Sequence, residues 1–138
     1  MITLTDTPDP AFEAVLEDGL SRYNESKTGR SDWRALAITV QDPSTGALVG
    51  GLSGRTSLGL FFLDLFFLPE NQRGTGIGST LMRMAEEEAV RRGCRMGTLT
   101  TISFQAPEFY ARHGWEEFGR IQSAPDVIRI FMRKTLIV

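Results

Sequence analysis

The chain has 138 residues, of which 41% are hydrophobic and 23% are charged, a composition typical of one globular domain. Its formal net charge of −2 argues against a protein that binds nucleic acid through a broad basic surface. The single cysteine, Cys94, excludes an intramolecular disulfide framework and a cysteine-cluster zinc site, and the single histidine, His113, excludes paired-histidine metal motifs. We therefore expect a function that needs no metal.

The N-terminus and the most apolar stretch bear on location. Residues 1–6 lack the basic region of a signal peptide and already include an acid. The stretch 58–68 is apolar apart from Asp64, but it is far shorter than the roughly 20 residues that a membrane span needs. We expect a cytoplasmic protein with no membrane partner.

The first half of the chain predicts a helix followed by strands. Asp9 and Pro10 are typical of a helix start, and the apolar spacing that follows predicts a helix over 10–25. Strands are predicted over 35–41, 47–55 and 58–68. Glycines inside the second of these strands indicate a bulge or a close approach of another backbone, and Pro69 ends the third.

The second half predicts two helices that alternate with strands. A helix over 77–92 has an apolar face that includes Leu81, Met84 and Ala85, and Gly93 closes it. The remaining elements are a strand over 95–102, a helix over 106–113 and strands over 115–121 and 128–136. The predicted order is β-α-β-β-β-α-β-α-β-β, with one strand ahead of the first helix. Because strand–helix–strand units stand beside hairpins, the sheet should be mixed, in a single α/β domain.

The turn before the long helix is rich in glycine and reads R-G-T-G-I-G-S over 73–79. The first backbone N–H groups of a helix have no partner within it, and the helix dipole adds partial positive charge there. Glycines would let a phosphate approach those groups, so the turn predicts an anion site. It lacks the lysine of a Walker A motif, and Ser79 stands where a dinucleotide motif has its third glycine. A tight turn that binds nothing remains the alternative.

Arg73, Gly76 and Gly78 form an R-x-x-G-x-G pattern that resembles the turn of the GNAT superfamily of acyl-CoA-dependent N-acetyltransferases. The segment 105–116, which reads QAPEFYARHGWE, is similar to the A-x-x-F-Y-x-x-x-G-[FYW] block of that family. The resemblance is close over 47–121, looser before it, and includes a bacterial branch of the family. It implies a single α/β domain whose central mixed, mostly antiparallel sheet is flanked by helices.

The resemblance also implies a reaction and its residues. It implies transfer of an acetyl group from acetyl-CoA to a primary amine of a small molecule or peptide, by direct attack in a ternary complex. Tyr110 would donate a proton to the departing sulfur, and the backbone of Phe66, Phe67 and Leu68 would bind the pantetheine arm. The pyrophosphate would be held by Arg73, Gly74, Thr75, Gly76, Ile77, Gly78 and Ser79. We therefore expect Gly78→Val to weaken coenzyme A binding more than folding.

The resemblance leaves the roles of three further residues open. Ser103 stands where many relatives carry an asparagine that meets the cofactor, and Gln105 either substitutes for it or caps a helix. His113 is expected to be a helix-end partner rather than a base. The loop 123–127 also differs from that of the bacterial branch, so an acceptor cannot be transferred from those relatives.

Asp64 is a carboxylate inside an apolar strand. Burial would favour its protonated form and make it a better base for the attacking amine. The alternative is an exposed carboxylate, or one paired with Arg55. Strict alternation would place Asp64 on the same strand face as Phe62 and Phe66, where it could meet an incoming amine.

Two other function classes remain open at this point. One is a non-catalytic acyl-CoA-binding module, a sensor or partner subunit, with the same glycine turn. The other is a structural protein whose turn binds no ligand. Homodimers are common in the family that the chain resembles.

Overall fold

The computed structural model describes residues 1–137, and these form three α-helices and six strands. The helices are α1 (Phe12–Thr28), α2 (Ile77–Arg91) and α3 (Pro107–Arg112), and a 3-10 turn spans Glu70–Gln72. The strands are β1 (Arg34–Gln41), β2 (Leu48–Ser57), β3 (Leu60–Phe67), β4 (Met96–Ile102), β5 (Glu116–Ala124) and β6 (Val127–Thr135).

The strands form one sheet in the order β1-β2-β3-β4-β6-β5. Neighbouring strands are antiparallel except β3 and β4, which are parallel and joined by α2 as a crossover. The sheet is therefore mixed and mostly antiparallel, which confirms the predicted fold class. No helix within residues 1–137 is long and apolar enough to cross a membrane.

Two predicted strand positions are wrong. Residues 1–11 contain no strand, so the chain lacks the strand that was predicted ahead of the first helix. The long strand predicted over 58–68 begins only at Leu60, because Leu58 and Gly59 form the turn of a hairpin. Both turn residues have positive φ, +49° and +85°, the backbone conformation that a two-residue hairpin turn requires.

One face of the sheet, called here the covered face, packs against α2 and α3. It presents Leu36, Leu52, Phe61, Leu63, Leu99 and Met132, all buried. Helix α2 contributes Leu81, Met82, Ala85 and Ala89 to this core. Met84, which was predicted to lie on the apolar face of the helix, is 45% exposed, and Met82 is buried in its place.

The indole of Trp115 packs directly over the backbone of β4 on this face. A Cβ built on Gly97 would lie 2.7 Å from Cη2 of that ring. Any side chain at position 97 would push the indole away, so the core needs a glycine there.

The C-terminal end of α2 is fixed to the first two strands by Arg92. Its guanidinium donates to the carbonyl of Ala35 at 2.9 Å and to the hydroxyl of Thr56 at 3.2 Å. It also donates to Glu88 at 2.8 Å, and hydrogen bonds from Arg92 and Arg91 lower the pKa of that carboxyl. These bonds set the position of α2, and with it the position of its opposite end.

The other face of the sheet, called here the open face, is not covered by any helix of the part of the chain that the structure describes. Its central row is formed by Arg55, Phe62, Thr98 and Arg133, which are partners across neighbouring strands. Leu65, Phe67, Phe118 and Ile121 lie on the same face and are 52–72% exposed.

Candidate active site

A cleft opens in the middle of the sheet, where β3 and β4 part. The two strands pair from Leu60 to Leu63 against Met96 to Leu99 and then diverge. From Asp64 onward, the edge of β3 that faces β4 has no strand beside it. An unpaired strand edge can bind an extended ligand through its backbone. The backbone of Phe66 and Phe67, predicted to bind the pantetheine arm, belongs to this edge.

A bulge in β3 sits at the point of divergence. Leu63 pairs with Gly54 and Leu65 pairs with Ser53, which leaves Asp64 without a partner in β2. Gly54 allows this close approach, since a Cβ there would collide with the carbonyl oxygen of Phe62. Of the two alternatives predicted for the glycines of β2, the close approach of another backbone is therefore found at Gly54, and the residue that bulges lies in β3.

The bulge changes which side chains share a face. Asp64 stays on the open face with Phe62, as predicted, but Phe66 turns to the covered face, where its ring contacts Phe109 and Tyr110. The prediction that Asp64 and Phe66 share a face is wrong, because alternation fails at a residue that has no partner.

The glycine turn leads into the N-terminus of α2 beside the cleft. The first hydrogen bond of the helix is from the Thr80 N–H to the Gly76 carbonyl at 3.1 Å, so the N–H groups of Ile77, Gly78 and Ser79 lack a helical partner. No side chain of the described residues caps this end. These donors and the positive end of the helix dipole fit a pyrophosphate.

Gly74 and Gly76 leave room in front of these donors. Their φ angles are +74° and +88°, and a Cβ built on either would meet no atom within 4 Å. Thr75, between them, turns its hydroxyl back onto the Gln72 carbonyl at 2.9 Å. The turn therefore presents backbone rather than side chains to a ligand.

A side chain at position 78 would not face the turn. A Cβ at this position would lie 3.3 Å from the ring of Phe109 and 3.6 Å from Leu68. It would point toward the core rather than toward a ligand. The expectation that a side chain at 78 would stand in front of the pyrophosphate is therefore wrong, and the glycine instead allows α3 to pack against α2.

Arg73 ties the turn to the end of the strand. Its Nε donates to the Leu68 carbonyl at 2.8 Å, and its guanidinium lies 5.7 Å from the centre of the Phe67 ring. The residue is exposed, so its remaining N–H groups can meet an anion at the turn.

Tyr110 lies on α3, on the covered side of the sheet, beside Phe66 of the free β3 edge. Its ring packs edge-on against Phe66 and Phe109, with centroid distances of 6.4 and 5.4 Å. Burial raises the pKa of the phenol. Tyr110 is therefore protonated at neutral pH and able to donate a proton or a hydrogen bond.

Asp64 approaches the cleft from the opposite, open face. Both carboxylate oxygens accept hydrogen bonds from Arg55, at 2.7 and 2.8 Å, and the two side chains are 44% and 37% exposed. The Arg55 guanidinium also lies 4.2 Å from the centre of the Phe62 ring. The expected burial of Asp64 is not found, because the bulge turns its side chain outward, where it pairs with Arg55.

Ser103 and Gln105 lie in the turn after β4. The Ser103 hydroxyl accepts a hydrogen bond from the Ile128 N–H at 3.4 Å, so it is directed toward β6. Gln105 donates its backbone N–H to Ile102 at 2.7 Å, and its side chain is exposed. Of the two, only Gln105 has a side chain free to reach a ligand.

The sequence did not predict the link between Ser79 and His113. His113 ends α3, and its Nε2 lies 3.0 Å from Oγ of Ser79 at the start of α2. Its carbonyl accepts a hydrogen bond from Lys134 at 2.6 Å, and Lys134 also pairs with Glu86 of α2. These residues border a cavity of about 710 Å³. A contact across 34 residues leaves no local pattern, so only the fold reveals it.

Two other chemistries find no support among the described residues. No three His, Cys, Asp or Glu side chains within 1–137 are grouped to hold a metal ion. Cys94 is buried, and burial raises the pKa of its thiol, so it is a core residue rather than a nucleophile.

Comparisons with known proteins point to one family. A model described as the acetyltransferase (GNAT) family matches residues 2–115. An acetyltransferase of Agrobacterium fabrum is 38% identical over 118 residues, which cover 86% of this chain and 85% of that protein. A blasticidin-S acetyltransferase of Streptomyces morookaense is 37% identical over 126 residues, which cover 89% and 85%. A crystal structure from Agrobacterium tumefaciens, assigned to the acetyltransferases, superposes with a TM-score of 0.85 at 34% identity over 98% of both chains.

Proposed function

This chain belongs to the GNAT family of acetyltransferases, and from that premise we propose that it transfers the acetyl group of acetyl-CoA to a primary amine of a small molecule or peptide. The observation that carries the proposal is the divergence of β3 and β4 beside an uncapped helix start. One end of the cleft suits an anion, and its middle offers a free strand edge.

The cosubstrate is proposed to bind along these two features. The pyrophosphate would accept hydrogen bonds from the backbone N–H groups over 74–79, with Arg73 beside it. The pantetheine arm would lie along the free edge of β3, with the backbone of Phe66, Phe67 and Leu68. A backbone N–H there would polarise the acetyl carbonyl as charge develops on its oxygen.

The transfer step is direct attack in the ternary complex. The amine nitrogen forms a bond to the acetyl carbon, and the bond from that carbon to sulfur breaks. Tyr110 donates its proton to the departing sulfur, and the amine loses one proton. The pKa of Tyr110, raised by burial, keeps that proton available at neutral pH.

Asp64 is the proposed acceptor of the proton that the amine releases, either directly or through water. It lies on the sheet face opposite Tyr110, so the acid and the base would act from opposite sides of the cleft. Its pairing with Arg55 gives it a competing role as a purely structural ion pair. The effect of substituting Asp64 on the pH–rate profile separates the two roles.

The proposal is tested by thiol release from acetyl-CoA with a panel of amines. The panel includes polyamines, amino acids, aminoglycosides, a peptide with a free N-terminus and blasticidin S, because one relative is named for that compound. At least one amine should raise thiol release well above background hydrolysis, and mass spectrometry should show the acetylated amine.

Coenzyme A binding is measured separately by thermal shift. A ligand present at 100 times its Kd stabilises a protein by about 2.7 kcal/mol. Binding without amine-dependent thiol release would support the sensor function instead. The absence of both would leave a structural protein and contradict the proposal.

A further inference from the structure

The first 28 residues stand apart from the rest of the described chain. Every residue from 1 to 20 is exposed, and no residue of α1 is buried. One side of α1 is nevertheless apolar: Phe12, Leu16, Leu20 and Tyr23 recur at three- and four-residue spacing and are 49–62% exposed. A helix with such a face is expected to bury it.

The surface area of the chain supports the same conclusion. The chain exposes 9664 Å². A compact monomer of 15.3 kDa would expose about 7,100 Å², so the excess is roughly 2,500 Å² per chain. Permanent dimers bury about 2,000–5,000 Å² in total, so an excess of this size on each of two copies matches one of their interfaces.

The apolar side of α1 has a counterpart on the sheet. Leu65, Phe67, Phe118 and Ile121 are exposed on the open face, which no described helix covers. Charge favours the same pairing. Residues 1–33 carry seven acids and three bases, a net charge of −4, while residues 34–138 carry ten acids and twelve bases, a net charge of +2. Arginines 55, 129 and 133 stand on the open face.

The linker between α1 and β1 has hydrogen bonds at both of its ends. At one end, Gly29 donates its N–H to the Glu25 carbonyl at 2.8 Å, and the Thr28 hydroxyl accepts from the Arg30 N–H at 3.1 Å. At the other end, the Asp32 carboxylate accepts from the Leu58 N–H at 2.9 Å. With the linker in this arrangement, no residue of α1 is buried against the rest of its own chain.

We propose that two copies of this chain form a dimer in which α1 of each packs on the open face of the other. Leu65 and Phe67 of that face flank the cleft, and Asp64 and Arg55 lie beside them. The helix of the second copy would therefore form a wall of the acceptor side. This last point rests on the proposed function, whereas the dimer itself does not.

The dimer is tested by light scattering after size exclusion, with matched variants on α1. The wild-type protein should have twice the chain mass of 15.3 kDa. Leu16→Asp places a charge on the apolar side and should raise the dimer dissociation constant at least about 30-fold, as expected for a buried interface residue. Ala14→Asp adds the same charge on the opposite side of the helix and should leave the mass unchanged.

A second pair tests the sheet. Leu65→Asp on the open face should also yield monomer, while Met84→Asp on the exposed side of α2 should not. A monomeric wild type would overturn the proposal in favour of α1 folding back on its own sheet. A dimer that survives both Leu16→Asp and Leu65→Asp would overturn it in favour of another interface.

The outcome is independent of catalysis. Coenzyme A binding and thiol release in a wild-type monomer would leave the proposed function standing without this dimer. A dimer disrupted by the predicted variants, but without amine-dependent thiol release, would leave this interface standing without the proposed function.

Discussion

The two faces of the sheet are built from the same strands and lead to opposite expectations. On the covered face, Phe61 is fully buried, as is Met82 of the helix α2 that packs on it. On the open face, Leu65 and Phe67 are 72% and 58% exposed, although they are as apolar. Apolar burial stabilises a fold, whereas a large exposed apolar surface marks a binding site. Substitutions on the covered face should therefore affect stability, and those on the open face should affect association and activity.

The largest expected effect is on activity, and it comes from a residue on the covered side of the sheet. Tyr110 lies on the covered side but is the proposed acid, and Tyr110→Phe keeps its ring contacts with Phe66 and Phe109. We expect kcat to fall about 10²–10⁴-fold with little change in coenzyme A affinity or melting temperature. Full activity in the variant would make Tyr110 a core residue only.

The pH dependence of stability gives an independent measure of the burial of the Tyr110 phenol. The pKa of Tyr110 is raised in the folded protein, so the unfolded chain releases this proton first, from about pH 10 upward. The wild type should therefore lose stability relative to Tyr110→Phe as the pH rises above about 10, and the two should show no such divergence below it. Urea unfolding at pH 8 and at pH 11 measures the difference.

Gly97 and Gly119 allow one substitution to be compared on both faces. Gly97→Ala would force Cβ against Trp115 on the covered face and should cost about 1–3 kcal/mol of unfolding free energy. Gly119→Ala, on the open face, meets no atom within 4 Å and should change stability by less than about 0.5 kcal/mol. Equal losses measured in urea would contradict the contrast between the faces.

Two substitutions in the glycine turn separate an effect on stability from an effect on coenzyme A binding. Gly78→Val should lower stability by about 1–2 kcal/mol through its contact with Phe109, with coenzyme A affinity falling only as far as α3 is displaced. Gly76→Ala has open space in front of it but a φ of +88°, so its strain falls on the backbone that presents the N–H groups. We expect coenzyme A affinity to fall more in Gly76→Ala than in Gly78→Val. The reverse order in a titration would place the pyrophosphate elsewhere.

A small effect on stability is expected at Asp64. Because its ion pair with Arg55 is exposed, Asp64→Asn should cost less than about 1 kcal/mol. In Asp64→Asn, the acidic limb of the pH profile of kcat/KM should shift or vanish if the carboxylate takes the proton of the amine. Glu117→Gln, which breaks the exposed pair with Arg120 on β5, is the control and should leave the profile unchanged. An unaltered acidic limb in Asp64→Asn would make Asp64 a partner of Arg55 and not a base.

Periodicity and motifs predicted the positions of most helices and strands well. The spacing of apolar residues placed α2 and the strands around it to within a few residues, and the helix predicted around the F-Y pair is found as α3. These features succeed because burial against a neighbouring layer sets a regular pattern along the chain.

Three features could not be predicted, each for a physical reason. The place of the bulge, at Asp64 in β3 rather than in the strand that carries the glycines, depends on the backbone pairing with Gly54, which alternation does not encode. The contact of Ser79 with His113 joins distant parts of the chain. The apolar side of α1 predicts burial but not the molecule against which it is buried.

The parallel pairing of β3 with β4 has a consequence for motion. It joins two antiparallel halves, β1-β2-β3 and β4-β6-β5, over the short run from Leu60 to Leu63. Hydrogen bonds join the strands of each half along their length. Local opening should therefore concentrate at the short β3–β4 pairing, with the two halves moving as rigid units about it. Amide hydrogens of β3 and β4 near the cleft should then exchange faster than those of β2 and β6. An extended ligand bound between the two halves should slow the exchange of these amide hydrogens, most strongly next to the cleft.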